Sequence, residues 1–265
     1  MPLTGSAAFG SSTSLINVGS ATVLDDMPQG TTLAWVRRTA SVTDARVWQK
    51  AYLALHGAAH YFALNDTGGT VGYLQDRTTD LQMRGGTTPP LNEWWFVVAQ
   101  WNTAGSNGDQ RIFTGNLTTP ATEVSSYAVQ IVGSGSLTSD AAAPLTIGNR
   151  QNGSVQLGGD MALLVITTAL LSIEEIRDVQ DLFVMPRGCV GYWRPGQQGL
   201  STALDESGFG SHGTLTAVTL TAQTIYPAPD SPRVGRWKRA LFPPAAGFNA
   251  AWARGSNAVY QPGVC

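Results

Sequence analysis

Residues 158–184 read GGDMALLVITTALLSIEEIRDVQDLFV. The first half, to Thr168, is a nearly unbroken apolar run opened by two glycines. A run of that length, too short for a membrane span, is the pattern of a strand buried on both faces. The second half changes period. Ser172 stands three residues before Glu175, the spacing of a capping box, in which each side chain bonds the other's backbone N–H. Ile173, Ile176, Val179/Gln180 and Phe183 then form one apolar stripe, and Pro186 stops the helix. The spacing predicts a short helix near 172–184. A single amphipathic helix after a buried strand is expected to cover one edge or open end of a β-sandwich.

Upstream, the chain reads as strand and turn. Leu33, Trp35 and Arg37 alternate with Ala34 and Val36, the period of a strand. AYLALHG (51–57) and HYFALND (60–66) read as a hairpin, and TVGYLQD (70–76) and DLQMRG (80–85) repeat the pattern around DRTT. PPLNEWWFVVAQW (89–101) carries apolar residues on both faces, as a central strand does. DQRIFTGN (109–116), SSYAVQIVG (125–133) and APLTIGNRQNG (143–153) follow with Gly/Asn/Ser turns between them. Strands every ten or so residues point to an all-β sandwich or barrel, and the lack of βαβ alternation before residue 170 counts against a parallel sheet.

Composition agrees. Only 13% of residues are charged, against about 25% in an ordinary globular chain. Gly, Ser and Thr dominate the turns. Residues 226–265 carry a net +4 and residues 1–225 a net −6, which reads as a basic tail docking on an acidic surface. That tail has five prolines up to Pro244 and no strand alternation. It also holds Arg236, Trp237, Arg239, Phe242, Phe248, Trp252 and Tyr260, residue types that anchor interfaces. It reads as an extended C-terminal arm, 226–265, that orders against a neighbour or against its own sandwich, 1–225. The opening MPLTGSAAFG shows no export signal, and Cys189 and Cys265 are expected as free thiols.

A family resemblance rests on several of these pieces in order: TTLAWVRR, WWFVVAQWN, QRIFTGNLT and PLTIGNRQNGSVQLGGDMALLVITTALLSIEEIRDV. Together they resemble the laminin-G-like, or concanavalin A-like, lectin/glucanase superfamily, of the kind found in bacteriophage structural proteins. The resemblance covers roughly 30–185. It implies an antiparallel jelly-roll sandwich whose short helix follows the last long strand. A second string, CVGYWRPGQQGLSTALDESGFGSHGTLTA (189–217), resembles a segment that often opens such domains, and is expected to supply edge strands of the same sandwich.

Relatives that hydrolyse glucans place alternating acids on one strand, because the reaction needs two carboxylates. The five glutamates here, Glu93, Glu123, Glu174, Glu175 and Glu206, do not alternate, so no catalytic residue is assigned and the chain is read as non-enzymatic. His56 and His60 flank GAA and do not form a helical zinc pair, and His212 sits in a turn. No metal or cofactor is assigned. The Ca²⁺ candidates, LDD (24–26), NDTGG (65–69) and LDESG (204–208), read equally well as turn chemistry. Trp48, Tyr52, Tyr61 and Tyr73 are the candidate sugar platform, with core packing as the plainer alternative. Neither nucleic acid nor membrane is an expected partner.

Lectin-like body, absent export signal and docking arm point to a non-enzymatic virion structural protein of a tailed bacteriophage. It would be a capsid decoration or tail-associated adhesion protein, made in the host cytoplasm, with capsid or tail proteins and further copies of itself as partners. The alternative is a carbohydrate-binding lectin-like module recognising a cell-surface polysaccharide.

Overall fold

The computed structural model describes residues 3–51, 60–141, 143–196 and 201–225. In chain order the strands are β1 (Leu3–Phe9), β2 (Leu15–Gly19), β3 (Gln29–Arg38), β4 (Ala45–Lys50), β5 (His60–Asp66), β6 (Thr70–Gln75), β7 (Arg77–Thr79) and β8 (Leu81–Gly85). They continue with β9 (Trp94–Asn102), β10 (Arg111–Asn116), β11 (Thr122–Glu123), β12 (Tyr127–Ile131), β13 (Ser134–Leu137), β14 (Leu145–Ile147) and β15 (Gly159–Thr167). After the helix α1 (Ile173–Leu182) come β16 (Cys189–Trp193), β17 (Thr202–Ala203), β18 (Gly213–Thr216) and β19 (Thr219–Ile225).

Two antiparallel sheets face each other. The smaller runs β11-β10-β9-β3-β15-β1-β19, with β16 sharing the β1 side of β15. The larger runs β12-β8-β6-β5-β4-β14-β2-β18-β17, and β7 and β13 form a small ribbon apart. This is an all-β jelly-roll-type sandwich.

β15 shows why it takes this form. All nine of its residues are buried. A shift in register between Met161 and Leu163 turns Met161, Leu164 and Ile166 inward and Ala162, Leu163 and Val165 outward. The inward set joins Phe9, Ile16, Val36, Phe62, Leu81, Met83, Trp101 and Trp193 between the sheets. The outward set meets Ile176 and Val179 of α1, with Leu33, Trp35, Phe96 and Tyr192 beside them. So α1 lies over the outer face of the smaller sheet rather than closing an edge or an open end, as the sequence had suggested. An outer face of this apolar area needs a lid, and burying each large side chain is worth about 1.5–3 kcal/mol.

The capping box forms: Ser172 N–H donates to Glu175 Oε2 at 2.8 Å and Glu175 N–H to Ser172 Oγ at 3.2 Å. Phe183 ends the helix in the left-handed region, φ +53°. Gln180, at 1% exposure, fastens α1 to the loop after β10. Its Oε1 accepts from Ala121 N–H at 2.7 Å, and its Nε2 donates to the Asn116 and Thr119 carbonyls at 2.9 Å each. Trp35 Nε1–H donates to the Gln180 carbonyl at 3.3 Å.

Other expectations shift at their edges. The partner of β5 is β4, ARVWQK, not 51–57; of that run, residues 52–59, including Tyr52 and His56, lie outside the described residues. The strand expected from Pro89 begins at Trp94, because Pro89 and Pro90 lack ladder donors and Asn92 has φ +64°. β1 and β2 gave no periodic signal. β1 is LTGSAAF, and its small residues let a loop backbone approach: a Cβ on Gly5 would collide with the Gly196 carbonyl. The 189–217 segment supplies edge strands as expected: β16 joins the smaller sheet and β17 and β18 the larger.

Replacing Gln180 with Ala strands Ala121 N–H and two loop carbonyls, and is expected to cost about 2–4 kcal/mol. Urea unfolding of Gln180→Ala against the parent reads this as a lower midpoint at unchanged slope. An unshifted midpoint would mean that α1 is held by its apolar stripe alone.

Candidate functional site

Directly paired residues share a face of a sheet, so the register lays out the larger sheet's outer surface. One row crosses eight of its strands: Ile131, Gln82, Leu74, Tyr61, Gln49, Thr146, Asn17 and Thr214. Among the described candidates, Tyr61 is the platform aromatic on this face, and it is 8% exposed. The Arg46 guanidinium lies 3.5 Å from its ring centroid. Arg46 is itself buried and paired to Asp44, which also binds Arg150 at 2.9 Å. Burial pulls the Arg46 pKa down, against the charge of Asp44. The centre of this face is therefore a closed, ion-paired surface. Trp48 and Tyr73 point the other way, into the core.

They join a polar knot between the sheets. His60, at 4% exposure, puts Nδ1 3.3 Å from Asp140 Oδ2 and Nε2 against the Tyr73 hydroxyl. Trp48 meets the imidazole edge-on at 4.9 Å and Trp101 at 5.3 Å between centroids. Lys50, at 1% exposure, donates to Asp25 Oδ1 at 2.7 Å and to the Asp140 and Ala143 carbonyls at 2.6 and 3.1 Å. Those three acceptors match the three protons of its ammonium. Asp26 and Asp140 exchange backbone-to-carboxylate bonds at 2.8 and 2.9 Å. Tyr73–His60–Asp140 has the order of a hydroxyl, base and orienting acid. Burial, however, holds the Tyr73 hydroxyl pKa well above its ordinary value. The knot ties together six segments of chain, around residues 25, 48–50, 60, 73, 101 and 140–143, and keeps its hydroxyl protonated. Its parts are scattered across 25–143, and only burial distinguishes them from ordinary surface residues in the sequence.

The loop between β17 and β18 is a second construction. Asp205 Oδ1 accepts from Tyr192 N–H at 2.9 Å and Ser207 N–H at 3.0 Å, and Oδ2 from Ser207 Oγ at 2.8 Å and Ser211 N–H at 3.0 Å. Asp205 N–H donates to His212 Nδ1 at 3.0 Å, and Trp193 Nε1–H to the Ser211 carbonyl at 2.8 Å. Arg194 Nε donates to Glu206 Oε1 at 2.9 Å. Phe209 stands at the tip, 57% exposed. The sequence shows the DESG turn and His212; it does not reveal that Asp205 spends both oxygens on protein donors.

The three Ca²⁺ candidate loops are accounted for in the same way. Asp25 takes Lys50, Asp26 takes Asp140 N–H and Ser139 Oγ, and Asp66 takes Thr67 N–H and Arg84 Nε. Among the described residues no group of three or more His, Cys, Asp or Glu is placed to hold a metal ion. Cys189 is a free thiol, pushed up to about 12 by burial. The arm residues Arg236, Trp237, Arg239, Phe242, Phe248, Trp252 and Tyr260, with Cys265, lie outside the described residues.

No protein-family model and no curated protein matches the chain. Solved structures do. A candidate carbohydrate binding protein from Bacteroides ovatus superposes with a TM-score of 0.57 at 12% identity, over 85% of this chain. The chain spans 62% of that protein's length. A native heptameric SAP-like pentraxin from Limulus polyphemus gives 0.52 at 10% identity, over 83% of this chain and 96% of its own. The mouse laminin α1 chain, domains LG4-5, gives 0.43 at 14% identity, over 63% of this chain and 43% of its own. The first two share the concanavalin A-like sandwich with this chain.

Burial alone would raise the Asp140 carboxyl; the hydrogen bond and charge of His60, the Asp26 N–H and Lys50 outweigh it and hold the pKa below the ordinary 3.8. A carboxyl lowered by folding adds stability above its unfolded pKa and loses it as the pH falls through the folded one. Acid titration of Asp140→Asn is therefore expected to lose less stability than the parent below about pH 4. An identical acid limb would remove Asp140 as the linked group. Lys50→Met leaves the buried Asp140 and the part-buried Asp25 carboxylates without their cation and is expected to cost about 3–5 kcal/mol by urea unfolding at neutral pH.

Proposed function

We propose that this chain is a non-enzymatic adhesion module of a tailed-bacteriophage virion, a capsid decoration or tail-associated protein whose lectin-like sandwich recognises a cell-surface polysaccharide. The observation that carries the binding reading is how the sandwich uses its acids. Asp25, Asp26, Asp44, Asp66, Asp140, Asp160 and Asp205 are each held by a cation or by N–H and O–H donors of the fold. Glycoside hydrolysis needs one carboxyl poised to give a proton and another free to attack or to activate water. At these seven positions the carboxylates are committed to structural partners, which supports binding over that chemistry there; Asp76, raised by burial and by its neighbour Asp80, lies outside that set. The ligand class follows the name of the Bacteroides ovatus protein, carried across a shared fold. The virion setting rests on residues 226–265, whose Arg and aromatic content suits docking on a symmetric lattice.

Two measurements test the two halves. Purified protein is screened on immobilised bacterial capsular polysaccharides and lipopolysaccharides, with reducing ends assayed alongside. Retention on at least one polysaccharide without release of reducing sugar is expected, and either no retention or steady sugar release overturns the adhesion reading. Light scattering of the full chain and of a chain cut after Tyr226 tests assembly. An oligomer that falls to monomer on truncation is expected, and a monomer in both rejects self-assembly through the arm.

A further inference from the structure

We infer that the loop of residues 204–212 is a glycan contact, with Phe209 as the face on which a sugar ring stacks. The inference deepens the adhesion reading above and rests on it. Among the described residues the exposed large apolar side chains are Leu91, Ile131, Val184, Met185 and Phe209. Phe209 is the most exposed of them and the one aromatic. An aromatic ring offers a flat apolar surface to the C–H face of a pyranose, which an aliphatic side chain does not. The closed centre of the larger sheet, with Tyr61 under Arg46, offers no such surface.

The loop is built to hold that ring out. Asp205 takes donors from Tyr192, Ser207 and Ser211, and Trp193 Nε1–H pins the Ser211 carbonyl, so both ends of the tip are tied to β16 and its flank. Gly208 and Gly210 flank Phe209 with φ +96° and +73°. A Cβ on either would meet nothing within 4 Å. Their glycine character thus serves the backbone's left-handed turns, and Phe209 between them stands 57% exposed. A ring carried on a loop tied at both ends loses less freedom on contact than one on a mobile loop.

Polar groups of the right kind stand on the same loop. His212 spends Nδ1 as acceptor for Asp205 N–H. That fixes the neutral tautomer with the proton on Nε2, leaving a donor on an exposed residue. Glu206, paired with Arg194, presents carboxylate oxygens and guanidinium N–H groups on a part-exposed side chain pair. An apolar face with a few fixed donors and acceptors is the usual make-up of a small-ligand contact. Here the set fits sugar hydroxyls, which both donate and accept. One stacking ring limits the recognition to one or two sugar units, so affinity for a long polysaccharide would come from repeated copies.

The test uses the full chain and the polysaccharides that retain it in the screen of capsular polysaccharides and lipopolysaccharides. Phe209→Ala is expected to weaken binding by about tenfold or more, and Phe209→Trp to keep or strengthen it. Because the side chain is exposed, the thermal midpoint of both variants should match the parent, so a lost fold cannot mimic a lost contact. If the parent binds and Phe209→Ala binds equally well, the contact lies elsewhere and this inference fails while the adhesion reading stands. If the parent binds none of the polysaccharides, the adhesion reading fails and the assignment of this loop falls with it.

Discussion

A strand that is apolar on both faces has to be covered twice. β15 sets that requirement, and most of the architecture answers it. The larger sheet covers one face through the Phe62, Leu81 and Met83 layer, and α1 covers the other through Ile176 and Val179. The helix thus works as a lid, held by its stripe and by the three side-chain bonds of Gln180. Its capping box matters because a ten-residue helix is marginal by itself in water. Packing fixes where the helix lies, and capping fixes where it starts.

The sandwich also buries ions, and does so on strict terms. Lys50 is tolerated because each of its protons has an acceptor, and Asp140 because His60, Asp26 and Lys50 surround it. Arg46 is tolerated between Asp44 and the Tyr61 ring. Such pairs do little for net stability compared with apolar packing, yet removing one partner is costly. They act as registration marks: the loops around residues 25 and 140 bond each other directly, and Lys50 of β4 and His60 of β5 fasten both loops to the sheet. The same commitment leaves these acids with their fold partners.

How much of this was legible beforehand follows from where the signals lie. β15 and α1 could be read because burial on both faces and the S-x-x-E spacing are local patterns. β3 could be read because Leu33, Trp35, Ala34 and Val36 are apolar on alternate faces, each facing a different core. β1 could not, because its residues are small to admit the Gly196 backbone, a neighbour far away in sequence. β4 was hidden by Arg46, Gln49 and Lys50, which look like surface residues and are buried only through their partners. The side on which Tyr61 and Tyr73 fall depends on register, and no pattern within HYFALND or TVGYLQD fixes it. The 204–212 loop was visible as turn chemistry, while the exposure of Phe209 depends on the packing of β16 beside it.

The pairing of β1 with β15 and β19 carries a consequence for the timing of folding. Leu3 lies opposite Ile225, and Phe9 opposite Gly159. During synthesis the first strand therefore waits, with its apolar residues unpartnered, until more than half the chain has left the ribosome, and its sheet is finished only with the last strand described. Contacts of such long sequence separation make for slow folding. The nascent chain spends that interval with an open edge, the state in which β proteins are most prone to pair with the wrong neighbour.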